Sequence, residues 1–384
     1  MKKKLAILIN SLSGGGAERV VSILLKELQR KYDITLILMM DKITYDIPDN
    51  IEVIYLEKIV AEEINLIKII KIPYLSWKYK KICNHRGVDI SLSFMYRPNF
   101  INTFAKILGL KSKVVISERN TASMTYNGNS IGSIVGRFLV KKLYPKANMI
   151  IPNSKGSAFD LIKSFNIPAN KIEVINNPID VDKINQLANE PLDTGLKTNK
   201  FVFILVGRLE KHKRQELVIR AFSKLSFTEC ELWILGEGLK NSELQELIKR
   251  LGLENYVKML GFDKNPYKYM NKADCFILSS TREGFPNVLI EALACGLPVI
   301  STDCDSGPRE ILSPRSDLSI KLHNSLEIAE YGILTPVNDE DKIIDAMNIL
   351  LERNTIYEDY KSKSKVRSKD FNLKKTIHLF ERVL

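Results

Sequence analysis

The stretch Thr281-Arg282-Glu283-Gly284-Phe285-Pro286-Asn287-Val288-Leu289-Ile290-Glu291-Ala292 follows the apolar run Cys275-Phe276-Ile277-Leu278. In that order the residues read as a buried strand, a short loop and a helix. Pro286 suits the first turn of a helix, where its missing N–H costs nothing. The helix is therefore read over residues 286–295. Its start presents the backbone N–H groups of Asn287, Val288 and Leu289, a setting that favours an anion. Glu283 lies on the loop before that start, and Glu291 lies about a turn and a half into the helix. A diphosphate at the helix start, flanked by one carboxylate for sugar hydroxyls and one for ribose hydroxyls, suits a nucleotide-sugar. A capped core helix with two solvated acids fits the same letters, so the rest of the chain decides.

Outward from this stretch, apolar β-like runs alternate with helical patterns. In the first half the strands are read near 5–9, 34–38, 51–56, 89–94, 114–117 and 149–151, with helices near 17–30, 65–84, 98–108, 131–144 and 156–165. In the second half strands are read near 201–206, 231–235, 257–259, 275–278 and 299–301, with helices near 214–225, 239–251, 266–272, 286–295 and 339–352. Continuous apolar strands separated by helices imply parallel sheets covered on both faces. Residues 177–200 are polar and contain Pro178 and Pro191, which marks a hinge. A chain of 384 residues also exceeds one ordinary core. The expected fold class is α/β: two tandem doubly wound domains with a ligand cleft between them. The domains are read as 1–180 and 181–370, with a helix over 371–384 crossing back to the first.

Two further loops match the opening stretch. Ser11-Leu12-Ser13-Gly14-Gly15-Gly16-Ala17-Glu18-Arg19 follows the first strand and opens the first helix. Its glycines let backbone approach a phosphate. It is not G-x-G-x-x-G, because Arg19 stands at the third glycine, and a tight structural turn is an equal reading. Gly207-Arg208-Leu209-Glu210-Lys211-His212-Lys213-Arg214 follows the first strand of the second half. Arg208 offers a fork and Lys213 a point charge for a diphosphate, although a solvated basic loop is the commoner fate of such a run. After another strand, Leu260-Gly261-Phe262 serves equally as the wall of a base pocket or as plain core. Asp303-Cys304-Asp305 spells D-x-D, a metal-carboxylate pattern, but lies before Ser306-Gly307-Pro308, so turn and cap chemistry explains it better. No metal site is expected.

Composition narrows the classes. The net charge is +12, and residues 1–180 carry all of it: 27 Lys and Arg against 15 Asp and Glu, with 30 of each in residues 181–384. That asymmetry points to an anionic partner on the first half. Residues 62–86 interleave Ile, Leu, Trp and Tyr with Lys68, Lys71, Lys78, Lys80, Lys81 and Arg86. Pro73 kinks or restarts the helix there. Such a helix lies on an anionic bilayer or packs one face on its own domain, and residues 131–146 extend the same surface. No apolar run approaches the roughly 20 residues of a spanning helix. The start Met1-Lys2-Lys3-Lys4 imitates a leader, but its apolar run is short, so a first strand in a cytoplasmic protein is expected. The five cysteines are scattered, which excludes a disulfide framework and a zinc knuckle. A nucleic-acid or dinucleotide binder is disfavoured by the neutral second half and the missing third glycine.

Taken together, G-G-A-E-R, G-R-L-x-x-x-K and E-G-F-P-N-V-L-I-E-A form an ordered set that resembles the retaining glycosyltransferases of the two-domain GT-B fold, family 4. The resemblance covers essentially the whole chain. It implies an acceptor-binding first domain and a second domain that binds the nucleotide-sugar. It assigns Arg208 and Lys213 to the diphosphate, Glu283 to the donor sugar and Glu291 to the ribose. Gly15 and Gly16 approach the phosphate from the first domain, with Phe262, Asn287, Val288 and Leu289 completing the donor contacts. It implies no metal cofactor. Residues 11–21, 36–48, 144–156 and 261–270 are similar to the N-acetylgalactosamine (GalNAc) transferases of bacterial protein N-glycosylation. That likeness implies UDP-GalNAc as donor and an undecaprenyl-diphosphate-linked saccharide as acceptor. It places the protein peripherally on the cytoplasmic face of the membrane, with Lys71, Lys78, Lys80 and Lys81 at the surface. Implied acceptor positions are Asn99, Glu118 and Arg119. Many relatives carry Glu-His where this chain has Glu118-Arg119, so the role of that His does not transfer. O-antigen or capsule synthesis with another UDP-hexose is the same-fold alternative.

Overall fold

The computed structural model describes residues 2–57, 65–192, 196, 198–225 and 229–384. The chain forms two compact units, Met1–Pro178 with Lys374–Leu384, and Ile179–Leu373.

The first unit runs β1 (Lys3–Ile9), α1 (Gly16–Leu28), β2 (Tyr32–Leu38), β3 (Glu52–Tyr55), α2 (Asn65–Ile70), α3 (Ile72–Arg86), β4 (Ile90–Phe94), α4 (Tyr96–Ile107), β5 (Lys113–Glu118), α5 (Ala122–Thr125), α6 (Ile131–Leu143), β6 (Met149–Pro152) and α7 (Lys155–Phe165). Its sheet has the order β3-β2-β1-β4-β5-β6, and every pairing is parallel. Leu5 to Ile9 are each buried, as a strand covered by helices on both faces must be. Burying each such Leu or Ile side chain contributes about 1.5–3 kcal/mol before the entropy of ordering it is subtracted.

The second unit runs α8 (Val181–Ala188), β7 (Phe201–Val206), α9 (Gln215–Phe222), β8 (Cys230–Leu235), α10 (Asn241–Arg250), β9 (Val257–Gly261), α11 (Tyr267–Met270), β10 (Cys275–Leu278), α12 (Asn287–Ala294), β11 (Val299–Thr302), α13 (Pro308–Leu312), β12 (Glu327–Ile328), β13 (Ile333–Thr335), α14 (Glu340–Glu352) and α15 (Asn354–Ser368). The sheet order is β12-β13-β11-β10-β7-β8-β9, parallel except for the β12–β13 edge. A last helix, α16 (Leu373–Val383), buries Thr376, Ile377, Phe380 and Val383. It is tied down by Lys31 Nζ to Glu381 Oε2 at 2.6 Å and by Lys113 Nζ to the Val383 carbonyl at 2.6 Å.

In both sheets the first strand has the second strand on one side and the fourth on the other. The chain therefore leaves these two neighbouring strands in opposite directions, and the loops after them diverge to open a crevice. In the first unit the strands are β1 and β4, and in the second β7 and β10.

The strand readings hold with small shifts, and the differences are local. The segment read as a polar hinge contains α8, capped by Asp180 Oδ1, which accepts from the Lys183 N–H at 3.0 Å. Only Val181, Ile184 and Ala188 of that helix are buried, so its apolar stripe is narrow. The α2–α3 segment restarts at Ile72-Pro73, as Pro73 predicts. Residues 62–64 of the basic segment lie outside the described residues.

Candidate active site

At the second crevice, the loop after β7 meets the loop after β10. Lys213 Nζ donates to Glu283 Oε1 at 2.6 Å, and Ser280 Oγ donates to the same oxygen at 2.7 Å. Both Lys213 and Glu283 are largely buried side chains, at 18% and 13% exposure. The backbone holds them there. Ser279 Oγ donates to the Lys213 carbonyl at 2.7 Å, and the Thr281 N–H donates to the His212 carbonyl at 2.8 Å. From below, Thr302 Oγ1 donates to the Ser280 carbonyl at 2.6 Å and Ser306 Oγ to the Gly284 carbonyl at 2.7 Å. Gly307 has φ +92°, and a Cβ there would lie 2.4 Å from Pro286 Cδ, so the loop needs this glycine beneath it. Gly236 does the same for the loop after β8, where a Cβ would fall 2.0 Å from the Gly207 carbonyl oxygen.

A small pocket at this point is lined by Gly207, Lys213, Gln215, Ser279 and Ser280, among others. Gln215 is buried; its Nε2 donates to the Arg208 carbonyl at 3.0 Å, and its Oε1 has no hydrogen-bond partner. Sequence reasoning missed Gln215, Ser279 and Ser280. The signal for the serines was present, since they fill the gap between the end of β10 and Thr281. An ammonium has three donors, and Glu283 takes one from Lys213. Arg208 is mostly exposed, with Nη1 2.7 Å from Glu210 Oε1. His212 stands 3.3 Å from Glu210 Oε2, and burial, followed by the nearby Lys213, lowers its pKa. The arrangement presents the Lys213 ammonium and the Glu283 carboxylate to one place, which suits a diphosphate joined to a polyhydroxylated group.

Four sequence expectations are revised here. Helix α12 starts one residue later than read, with Pro286 as the capping residue. The Leu289 N–H donates to the Pro286 carbonyl at 3.1 Å, so it is not available to an anion, and the contact expected from it is corrected. Asn287 and Val288 remain half-buried at the start of α12, and Glu291 is buried just over a turn into it. Phe262 is 66% exposed, which removes the core alternative for it. Asp303 is neither a turn cap nor beside a metal cluster: its two oxygens take Arg309 Nε at 3.0 Å and Nη2 at 2.7 Å in a buried pair. Among the described residues no group of three His, Cys, Asp or Glu is placed to hold a metal ion.

In the first unit, Gly15 caps α1 and Gly14 has φ +101°, with Gly14 and Gly16 exposed. Glu118 ends β5 fully buried. Its Oε2 accepts from the Tyr144 hydroxyl at 2.6 Å, and its Oε1 from the Arg119 N–H at 2.9 Å. Asn99 is spent on the Ser117 carbonyl at 3.0 Å, and its Oδ1 accepts from Ser93 Oγ at 2.8 Å. Glu118 and Asn99 are both fully buried, with their polar atoms engaged by these partners. Burial pushes the Glu118 carboxyl up to about 7, although its hydrogen bonds from Tyr144 and the backbone pull the other way. The protonated acid is therefore favoured by folding. Its stabilisation is complete below the unfolded pKa of about 4.3 and is lost as pH rises through about 7. We expect the urea midpoint of the parent protein to fall more steeply between pH 5 and 8 than that of Glu118→Gln. Parallel curves would mean that Glu118 is ionised throughout.

The basic segment is divided in its loyalties. Lys71 Nζ pairs with Glu57 at 2.8 Å, and Lys78 Nζ donates to the Leu56 carbonyl at 2.5 Å. These two lysines, each part-exposed, also tie the helix to the protein. Lys80 is half-buried, and Lys81 lies 3.9 Å over the exposed Trp77 ring. Ile67, Ile70, Tyr74, Trp77 and Lys81 recur at helical spacing as an exposed stripe, and Ile131, Ile134 and Phe138 form another on α6. Among the described residues no helix is long and apolar enough to cross a membrane.

Comparison with known proteins agrees with this architecture. Residues 14–183 match the model of Glycosyltransferase Family 4, and residues 189–367 that of Glycosyl transferases group 1. The chain is 44% identical over 370 residues, 96% of each protein, to an N-acetylgalactosamine-N,N'-diacetylbacillosaminyl-diphospho-undecaprenol 4-alpha-N-acetylgalactosaminyltransferase of Campylobacter jejuni subsp. jejuni serotype O:2. It is 24% identical, over 96% of this chain and 95% of that protein, to a second alpha-1,4-N-acetyl-D-galactosaminyltransferase of the same organism, acting on a diNAcBac-PP-undecaprenol-linked saccharide. Among solved structures, Anabaena HepE in complex with UDP superposes with a TM-score of 0.78 at 20% identity, covering 99% of both chains. With two doubly wound units, a charged crevice at the β7–β10 switch and this degree of identity, the chain belongs to glycosyltransferase family 4 and is a glycosyltransferase of the GT-B fold.

Proposed function

We propose that the enzyme transfers GalNAc from UDP-GalNAc to a hydroxyl of an undecaprenyl-diphosphate-linked saccharide, with retention of configuration. The observation that carries the reading is the 44% identity, across 96% of both chains, with the Campylobacter enzyme named as a 4-alpha-N-acetylgalactosaminyltransferase of a diphospho-undecaprenol-linked saccharide. In this reading the second unit binds the nucleotide-sugar and the first binds the lipid-linked acceptor. Lys213 and Arg208 neutralise the diphosphate as the glycosidic bond breaks, with the Asn287 and Val288 end of α12 facing the same charge. This task needs no metal ion. Glu283 accepts hydrogen bonds from the donor sugar and Glu291 from the ribose, while Phe262 covers the base. Front-face attack by the acceptor hydroxyl requires no side-chain base. The exposed stripes on α2–α3 and α6, beside an excess of positive charge in the first half, support docking on the anionic inner face of the cell membrane.

The test is UDP release from a panel of UDP-sugars, with and without the undecaprenyl-diphosphate-linked amino-sugar saccharide in anionic vesicles. Acceptor-dependent release from UDP-GalNAc alone, with an α-anomeric product by NMR, is the expected result. Release from UDP-glucose or UDP-galactose instead would move the enzyme to another surface polysaccharide and overturn the proposed donor.

A further inference from the structure

The carboxyl ends of β4, β5 and β6 hold a group of buried polar atoms without partners. Arg119 directly follows β5 and Asn153 directly follows β6. Both are at least nine-tenths buried, at 6% and 2% exposure, and Thr121 beside them is at 8%. Arg119 Nη1 donates to Asn177 Oδ1 at 2.6 Å, and its guanidinium lies 4.9 Å over the Phe94 ring. Its Nε and Nη2 have no hydrogen-bond partner, nor has Thr121 Oγ1 or Asn153 Oδ1. The only other such atom in this unit, among the described residues, is Arg97 Nε. Orphaned buried groups of this kind cost about 1–3 kcal/mol each, more when charged, and their gathering in one place calls for an explanation.

Arg119 also lacks a direct ion pair. Glu118, its neighbour, spends its oxygens on Tyr144 and on backbone N–H groups. Among the described residues no carboxylate comes within 4.0 Å of the Arg119 guanidinium. Burial pulls the Arg119 pKa down to about 9, against the opposing pull of the neighbouring Glu118 charge. The missing partners have a definite chemistry. Nε and Nη2 are the side of the guanidinium fork that takes two oxygens of one oxyanion. The Thr121 hydroxyl adds a donor. Asn153 Oδ1 is an acceptor; its Nδ2 already donates to the Arg119 carbonyl at 3.2 Å, which fixes the amide's orientation. A bare anion satisfies the donors and repels that acceptor. A phosphate attached to a sugar satisfies both, because the sugar brings a hydroxyl or amide N–H.

We propose that Arg119, Thr121 and Asn153 form a glycosyl-phosphate subsite, with the phosphate on Arg119 Nε and Nη2 and the adjoining sugar donating to Asn153 Oδ1. The proposal deepens the glycosyl-transfer reading, in which both the nucleotide-sugar and the lipid-linked acceptor contain a glycosyl phosphate. The subsite stands at the carboxyl ends of parallel strands, where such folds bind ligands.

The experiment is equilibrium titration of the full chain and its Arg119→Gln and Arg119→Lys variants with three probes: UDP-GalNAc, a short-chain polyprenyl-diphosphate-linked amino-sugar, and inorganic pyrophosphate. Melting temperatures are recorded alongside. We expect Arg119→Gln to weaken pyrophosphate and one of the two glycosyl diphosphates by at least about tenfold, with the melting temperature unchanged or higher. Arg119→Lys, which keeps the charge and loses the fork, falls between. A loss confined to the lipid-linked probe assigns the subsite to the acceptor, and one confined to UDP-GalNAc assigns it to the donor. If the parent binds neither glycosyl diphosphate, the substrate reading fails, while the pyrophosphate comparison still decides the subsite. Equal affinities for all three probes, or a lowered melting temperature in both variants with affinities intact, would overturn it and leave Arg119 a structural tether to Asn177.

Discussion

Lys213→Ala and Glu283→Gln each lower turnover by at least about tenfold, a loss of roughly 1.4 kcal/mol of transition-state stabilisation. The two changes act on different atoms of one contact. Removing the Lys213 ammonium takes a positive charge from the place where the diphosphate leaves. It also leaves the Glu283 carboxylate, at 13% exposure, with Ser280 Oγ still donating to it. Glu283→Gln keeps the size of the side chain and an acceptor oxygen but removes the charge that orients Lys213. Because the pair is in direct contact at 2.6 Å, the effects are coupled. The double variant is therefore expected to lose less than the product of the single losses. A full product would mean that Lys213 and Glu283 act independently. Near-normal turnover in either single variant, measured as acceptor-dependent UDP release, would remove that residue from the proposed machinery. Fold damage is read separately from the melting temperature.

These two residues were legible for a topological reason. Each stands in a loop that directly follows an apolar strand, and strand–loop–helix order is written in the hydrophobic pattern. In a doubly wound sheet, the first and fourth strands are neighbours, so loops 70 residues apart are brought together. The contact itself was not legible. Gln215, Ser279 and Ser280 form no motif; they matter because of what faces them across β7 and β10. The elements that escaped reading share a cause. β12 and β13 are two and three residues long, too short to read as apolar strands. α8 and α15 lie in polar sequence, and α15 buries Tyr360, Ser364, Arg367 and Ser368 in place of an aliphatic stripe. Arg119 stood out only through the resemblance; that its guanidinium is buried with unpartnered atoms, beside Thr121 and Asn153, was not legible, because in sequence it looks like any basic residue on a loop.

Asp303→Ala is expected to destabilise the second unit by about 3 kcal/mol, near the low end of the cost of breaking a buried ion pair. The letters Asp303-Cys304-Asp305 invite a metal, but the two carboxylates have separate fates. The Asp303 side chain is fully buried and the Arg309 side chain is at 4% exposure, joined by two hydrogen bonds in fork geometry. Asp303 Oδ2 also accepts the Leu322 N–H at 3.2 Å, which fastens the segment after α13 to β11. Removing it strands a buried guanidinium whose other contacts are Glu327 at 2.8 Å and Ser316 at 3.3 Å. Those contacts keep the loss from being larger. At about 2–4 °C per kcal/mol for a unit of this size, the transition should fall by roughly 6–12 °C in calorimetry. Asp305, by contrast, is at 46% exposure and 3.7 Å from Lys321, a pair worth at most about 1 kcal/mol. Asp305→Ala should melt near the parent and turn over normally. A metal-carboxylate pair would behave otherwise, since both substitutions would abolish turnover and added divalent cation would restore neither melting nor activity selectively to Asp303. Equal loss of activity in the two variants, without a loss of stability in Asp303→Ala, would return the motif to metal chemistry.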